Sequence, residues 1–204
     1  MKRLSNVRLQ MSGKQAKVLT DKQIKAVLAA LAGSRNGLRN QVMFLLSLHS
    51  LRAKEVADIE VSMVTDSSGA VSDHIALQDK VSKGGKSGRV IYMSQLLRDT
   101  LLEYLKDRAS KTSSYLIVTE RSEKFSANAV AVYFHRLYKH LGFNGMSSHS
   151  GRRTFITKAA RKLSQVGGSL RDLQLMAGHK NLATTQAYID YDSDAQRKLV
   201  QIIY

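Results

Sequence analysis

Gly178-His179 is followed, nine residues after the histidine, by Tyr188, across a small polar stretch that includes Ala183-Thr184-Thr185. A phenol ionises at about pH 10, so as a nucleophile it needs a base or cations beside it. Upstream, His149-Ser150-Gly151-Arg152 sets a histidine and an arginine three residues apart, a spacing that puts both on one helical face. A helix start there favours an anion, and a phosphate could take the histidine's hydrogen bond and the arginine's fork together. Leu51-Arg52-Ala53-Lys54-Glu55 repeats the spacing with Arg52 and Glu55, and the carboxylate can orient the guanidinium. Lys83 and Lys86 stand in the turn-like run Ser82-Lys83-Gly84-Gly85-Lys86-Ser87-Gly88. From such a turn a lysine can enter a DNA groove and give a proton to a leaving oxygen. The run does not satisfy the nucleotide-binding pattern G-x-x-x-x-G-K-[ST]. Each piece also fits a plainer reading: a surface His–Arg pair, a helix-surface ion pair, a solvated hairpin turn, a buried aromatic. Tyr191, three residues beyond Tyr188, is a second candidate for the nucleophile.

The elements that must position these side chains follow from periodicity. Thr20 and Asp21 open a helix with Ile24, Val27, Leu28 and Leu31 on one face, closing near Gly33. A second carries Leu38, Val42, Leu45 and Leu46, and a third begins near Leu51 with Val56 and Ile59 inward. Val61 to Val64, His74 to Leu77 and Arg89 to Met93 then read as three short strands separated by turn residues. Helical spacing returns at Leu97, Leu101 and Leu105 and at Val130, Phe134, Leu137 and Leu141. Helices follow over Arg152 to Leu163, Ser169 to Ala177, Leu182 to Tyr191 and Asp194 to Ile203, with Ser169 and Asp172 spaced as a capping box. The expected fold class is α+β: mostly α-helical with a small three-stranded antiparallel sheet.

The bulk composition narrows the partner. The 204 residues suit one domain, and 43% hydrophobic residues suffice for a core. Lys and Arg number 32 against 16 Asp and Glu, a net charge of +16. Such an excess favours a polyanion, with binding that weakens steeply in salt. The absence of cysteine excludes disulfides and cysteine-held zinc, and fits a reducing cytoplasm. No apolar run reaches the ~18 residues of a membrane span, and the basic start lacks the apolar stretch of a signal peptide. No carboxylate cluster suggests a metal site. Residues 1–19 hold five basic residues and no acid, which reads as a basic arm or linker before a domain over 20–204.

Taken in order and jointly, these motifs resemble the tyrosine recombinases, or phage integrase family. The resemblance rests on Leu51-Arg52-Ala53-Lys54-Glu55, the turn lysine Lys83, His149-Ser150-Gly151-Arg152, Gly178-His179 and Tyr188, and it covers roughly Thr20 to Tyr191. It implies a site-specific recombinase whose tyrosine attacks a DNA phosphate, forming a 3′-phosphotyrosyl link without metal, ATP or other cofactor. Tyr188 would be the nucleophile. Arg52 and Arg152 would clamp the non-bridging oxygens, and Lys83 would protonate the leaving 5′ oxygen. His149 would assist proton transfer at the tyrosine, His179 would bond the phosphate, and Glu55 would support Arg52.

The resemblance further implies double-stranded DNA as partner and a homo-tetramer on paired sites, in which the segment Asp194 to Ile203 could dock on a neighbour. It leaves room for accessory DNA-bending proteins and implies a cytoplasmic, nucleoid-associated protein of bacterial or mobile-element origin. A non-catalytic DNA-binding module with the same fold is the alternative, and a type IB topoisomerase-like activity a lesser one. Three departures stand out. Ser50-Leu51 replaces the usual Gly-Leu, and Gly151-Arg152-Arg153 replaces a common Leu-Arg-His. Only 51 residues precede Arg52, so no separate N-terminal DNA-clamping domain is expected.

Overall fold

Thr20 caps the first helix by a reciprocal pair of bonds. Its hydroxyl accepts the Gln23 backbone N–H at 3.2 Å, and the Gln23 side chain accepts the Thr20 N–H at 3.0 Å. The helix, α1, runs over Asp21–Ala32 and closes at Gly33, as its periodicity predicts. In the computed structural model, which describes residues 16–78, 88–108, 112–188 and Gln201, seven more α-helices and two strands follow. They are α2 (Gly37–Leu48), α3 (Ala53–Asp58), β1 (His74–Leu77), β2 (Arg89–Tyr92), α4 (Gln95–Asp107), α5 (Ala127–His140), α6 (Ser150–Lys162), α7 (Leu170–Ala177) and α8 (Leu182–Gln186).

The centre of the fold is α2. Val42 through Ser47 are all buried, so the one-sided face expected there is in fact apolar nearly all round, the mark of a core helix. It packs against α1, α3, α4 and α6. The main core gathers α1 to α5 and the sheet, with Phe44, Leu46, Leu51, Ile59, Ile91, Phe134 and Tyr138 among its fully buried members. A second, small core lies between α6 and α7, where Ile156, Leu173 and Ala177 are buried.

The sheet has two described strands, not three. β1 and β2 pair antiparallel with His74 opposite Tyr92 and Leu77 opposite Arg89. Val61–Met63, expected as a strand, is a 3-10 turn. Its flanks make only isolated bridges, Glu60 with Tyr115 and Thr65 with Val71. A four-residue run such as Val61-Ser62-Met63-Val64 is too short for period alone to distinguish a strand from a helical turn. The helix expected over Leu182 to Tyr191 ends at Gln186, with Ala187 and Tyr188 in a turn. Residues 189–191 and the helix expected over Asp194 to Ile203 lie outside the described residues, apart from Gln201, which is helical. Among the described residues no helix is long and apolar enough to cross a membrane.

Candidate active site

The site forms where α7 ends. A helix leaves its last carbonyls without partners and carries partial negative charge there, and two of these carbonyls take arginines. Arg152, in the first turn of α6, donates through Nη2 to Ala177 O at 2.6 Å. Arg52, just before α3, donates through Nη2 to Gly178 O at 3.1 Å. Gly178 makes this crossing tight: it has φ +60°, and a Cβ there would lie 2.7 Å from Arg89 Nη1. Only glycine accepts both the left-handed backbone and the contact.

Arg152 is 6% exposed. Its Nη1 donates to the Ser50 carbonyl and to Ser50 Oγ, the latter at 3.0 Å. Ser50 sits at φ +71°, a region where glycine is usual and serine is uncommon. The substitution of serine for glycine before Leu51 therefore has a structural use, because its hydroxyl is a second acceptor for Arg152. The other departure, Gly151, is equally constrained. A Cβ there would stand 2.1 Å from Ser47 Oγ, so glycine permits the close approach of α6 to α2 that carries Arg152 inward.

Glu55 is 1% exposed and anchors the cluster. Its Oε1 accepts Arg52 Nη1 at 3.0 Å and Arg89 Nη1 at 2.8 Å, while Oε2 accepts Arg89 Nη2 at 3.0 Å and the Arg52 backbone N–H at 2.7 Å. Burial alone would raise the Glu55 pKa, but Arg89 and Arg52 outweigh it and hold the carboxyl below its ordinary range. Arg89 is absent from the motifs of the sequence. Its strand alternation carried a signal, since it shares a face with buried Ile91 between exposed Val90 and Tyr92.

Two guanidiniums thus bond one carboxylate, and a third, that of Arg152, lies near enough to feel its charge. Burial pushes Arg152 down to about 9, with Arg52 adding to the effect, yet it remains a cation at neutral pH. His179 shows the same surplus. Burial first, then Arg152, Arg52 and Arg89, push its pKa down to about 4, so the imidazole is neutral at pH 7. Its Nδ1 pairs with Thr185 Oγ1 at 2.9 Å, and Gln174 Nε2 donates to its backbone carbonyl at 2.9 Å. Gln174 and Thr185, both buried, are supports that spacing did not reveal.

The rings of His179 and Tyr188 stack with centroids 5.8 Å apart and planes 21° apart. Tyr188 is half-buried and also packs on the small core. His149 occupies the N-cap of α6, one turn before Arg152. Its ring is exposed and makes no hydrogen bond among the described residues. The structure therefore brings together Arg52, Glu55, Arg152, His179 and Tyr188 and adds Arg89. Lys83 and Tyr191 lie outside the described residues. The arrangement sets buried and half-buried guanidinium donors, suited to a tetrahedral anion, beside a phenol.

The phage integrase family model matches residues 17–194. The tyrosine recombinase XerA of Pyrococcus horikoshii is 27% identical over 190 residues, covering 91% of this chain and 60% of the relative. A crystal structure of XerA recombinase is similar with a TM-score of 0.69 at 25% identity, over 90% of this chain and 64% of that one. The Tn1549 transposon integrase in complex with a circular intermediate DNA shares the fold with a TM-score of 0.73 at 18% identity, over 95% of this chain and 68% of that one. The chain spans about 60% of the length of the XerA relative.

Proposed function

The chain belongs to the phage integrase family, and from that membership we propose that it is a site-specific recombinase that breaks and rejoins double-stranded DNA through Tyr188. The observation that carries the reading is the charge surplus: among the described residues Arg52 and Arg89 pair with Glu55 while Arg152 lies near them, beside a phenol stacked on a neutral histidine.

In this reading the scissile phosphate sits against Arg52 and Arg152, whose remaining N–H donors face its non-bridging oxygens. The Tyr188 hydroxyl oxygen bonds to phosphorus as the phosphorus–O5′ bond breaks. The phenolic proton passes toward His149, and the departing 5′ oxygen gains a proton from Lys83. The product is a 3′-phosphotyrosyl ester and a free 5′-hydroxyl. A 5′-hydroxyl from a partner strand reverses the step, so the number of phosphodiester bonds is conserved. The five-coordinate phosphorane carries more charge on its equatorial oxygens than the ground state, and the fixed guanidiniums stabilise that increment. His179, neutral and held by Thr185 and Gln174, gives a hydrogen bond to the same oxygens. Residues 20–204 act as the catalytic unit and 1–19 as a basic arm. The working assembly is a tetramer on two DNA sites in the cytoplasm.

The test is a duplex of the chain's own recombination site, nicked so that the cleaved 5′ end diffuses away. The reading predicts a protein–DNA complex stable in denaturant. Salt-sensitive binding without such a complex would instead mark a non-catalytic DNA-binding module. Relaxation of supercoiled plasmid without a site would mark a topoisomerase.

A further inference from the structure

We propose that Arg153 is a positioning residue that holds the Tyr188 ring docked beside the arginine cluster. The inference rests on Tyr188 being the nucleophile. The guanidinium carbon of Arg153 lies over the Tyr188 ring, 5.7 Å from its centroid, within the range at which a cation is drawn to an aromatic face. Among the described residues the Arg153 side chain forms no ion pair with a carboxylate, and it stands over the tyrosine ring.

Helix geometry explains how two adjacent arginines serve two ends. Successive side chains on α6 diverge by about 100°. Arg152 turns toward Ser50 and Ala177. Arg153 falls instead in line with Ile156 and Ala160, and both of these belong to the small core on which Tyr188 packs. One face of α6 therefore offers an apolar seat for the ring and, at its N-terminal end, a cation over it.

The tyrosine needs such a hold. It follows α8, a helix of only five residues, too short to be stable by itself. Its described backbone hydrogen bond is a single turn, from its N–H to Thr185 O at 3.1 Å. Side-chain contacts with His179, Arg153 and the small core thus decide where the phenol spends its time. Position 153 is also where this chain departs from a common Leu-Arg-His run, so the contact belongs to this chain's own arginine.

The test uses the full chain on its nicked recombination site, with Arg153→Gln and Arg153→Lys compared below their melting temperatures. DNA affinity, its salt dependence and the single-turnover rate of adduct formation are measured for each. Arg153→Gln is expected to bind as wild type does, with the same salt slope, but to form the adduct about tenfold more slowly. Arg153→Lys, which keeps a cation, is expected to recover most of the rate. Adduct formation by Arg153→Gln at the wild-type rate overturns the proposal. So does a loss of affinity with a salt slope shallower by about one, which would make Arg153 a phosphate ligand. Tyr188→Phe, run in parallel, separates the two ideas: an adduct in that variant sinks the nucleophile assignment itself, whatever Arg153 does.

Discussion

Arg89 grips Glu55 with both ends of its guanidinium, at 2.8 and 3.0 Å, across 34 residues of sequence. The same carboxylate holds Arg52, so the first arginine of the site is fixed through an acid that a strand arginine fixes in turn. Removing one member of a buried pair leaves an uncompensated charge, at a cost of about 3–5 kcal/mol. Glu55→Ala should therefore lower the melting temperature by roughly 10 °C. Thermal unfolding followed by circular dichroism checks this; a shift of a degree or two would mean that the pair is replaceable by water.

Arg52 is more exposed than Arg152 and can be changed with less damage to the fold, its side chain being 28% accessible. Arg52→Ala should slow adduct formation by about 10²–10³, as expected when a donor to the charged intermediate is lost. Binding should suffer little, because many cations share the DNA contact. With a net charge of +16, log affinity should fall against log salt with a slope of about −5 or steeper if six phosphates are neutralised. Equal losses of affinity and rate in Arg52→Ala would assign Arg52 to DNA binding alone.

Gly151 sets the distance between α6 and α2. Gly151→Ala drives a methyl group into Ser47 and should destabilise by about 1–3 kcal/mol, the usual range for overpacking. Ser47→Gly in the same chain removes the Oγ and Cβ that clash and should restore part of the loss. A double-mutant cycle in urea measures the coupling. Strict additivity would show that the two helices can simply move apart.

Acidity should weaken the fold in a defined window. His49 is buried, its Nδ1 pairs with Leu45 O at 2.7 Å and its Nε2 accepts the Ser94 N–H at 3.1 Å. A protonated ring could not accept that bond, and burial keeps its pKa below 6.5. His179 is held down to about 4. For both groups the unfolded chain takes up the proton first, so stability is full above about pH 6.5 and declines as pH falls toward about 4. The contribution of Glu55 is lost only below its ordinary value of 4.5. Melting temperatures between pH 8 and pH 4.5 should drop across the window, and His49→Gln should flatten the drop. Stability that rises on acidification would contradict the assigned neutral imidazoles.

Much of the helical frame was readable because its signals are local. Thr20 and Ser169 with Asp172 mark helix starts by side-chain chemistry within three residues, and Gly33 closes α1 through its backbone N–H. The pair Arg52-x-x-Glu55 was readable for the same reason, whereas the His149 ring, one turn before Arg152, stays exposed. Arg89 was legible only as an inward position on a strand, because its partner is remote and no motif spacing names it. Gln174 and Thr185 were hidden likewise, since their roles exist only once the α7–α8 turn closes around His179. The stretch from Val61 misled because apolar, partly β-branched residues suit a strand. There the Val61 N–H bonds to Ser114 O instead, and the turn is set by a segment more than 50 residues away.

The most direct measurement is the identity of the residue that carries the DNA. The full chain would be trapped on its nicked recombination site, digested, and the nucleotide-bearing peptide sequenced by mass spectrometry. The account predicts a 3′-phosphotyrosyl nucleotide on Tyr188, absent from Tyr188→Phe. A nucleotide on Tyr191, or an adduct that persists in Tyr188→Phe, would contradict it.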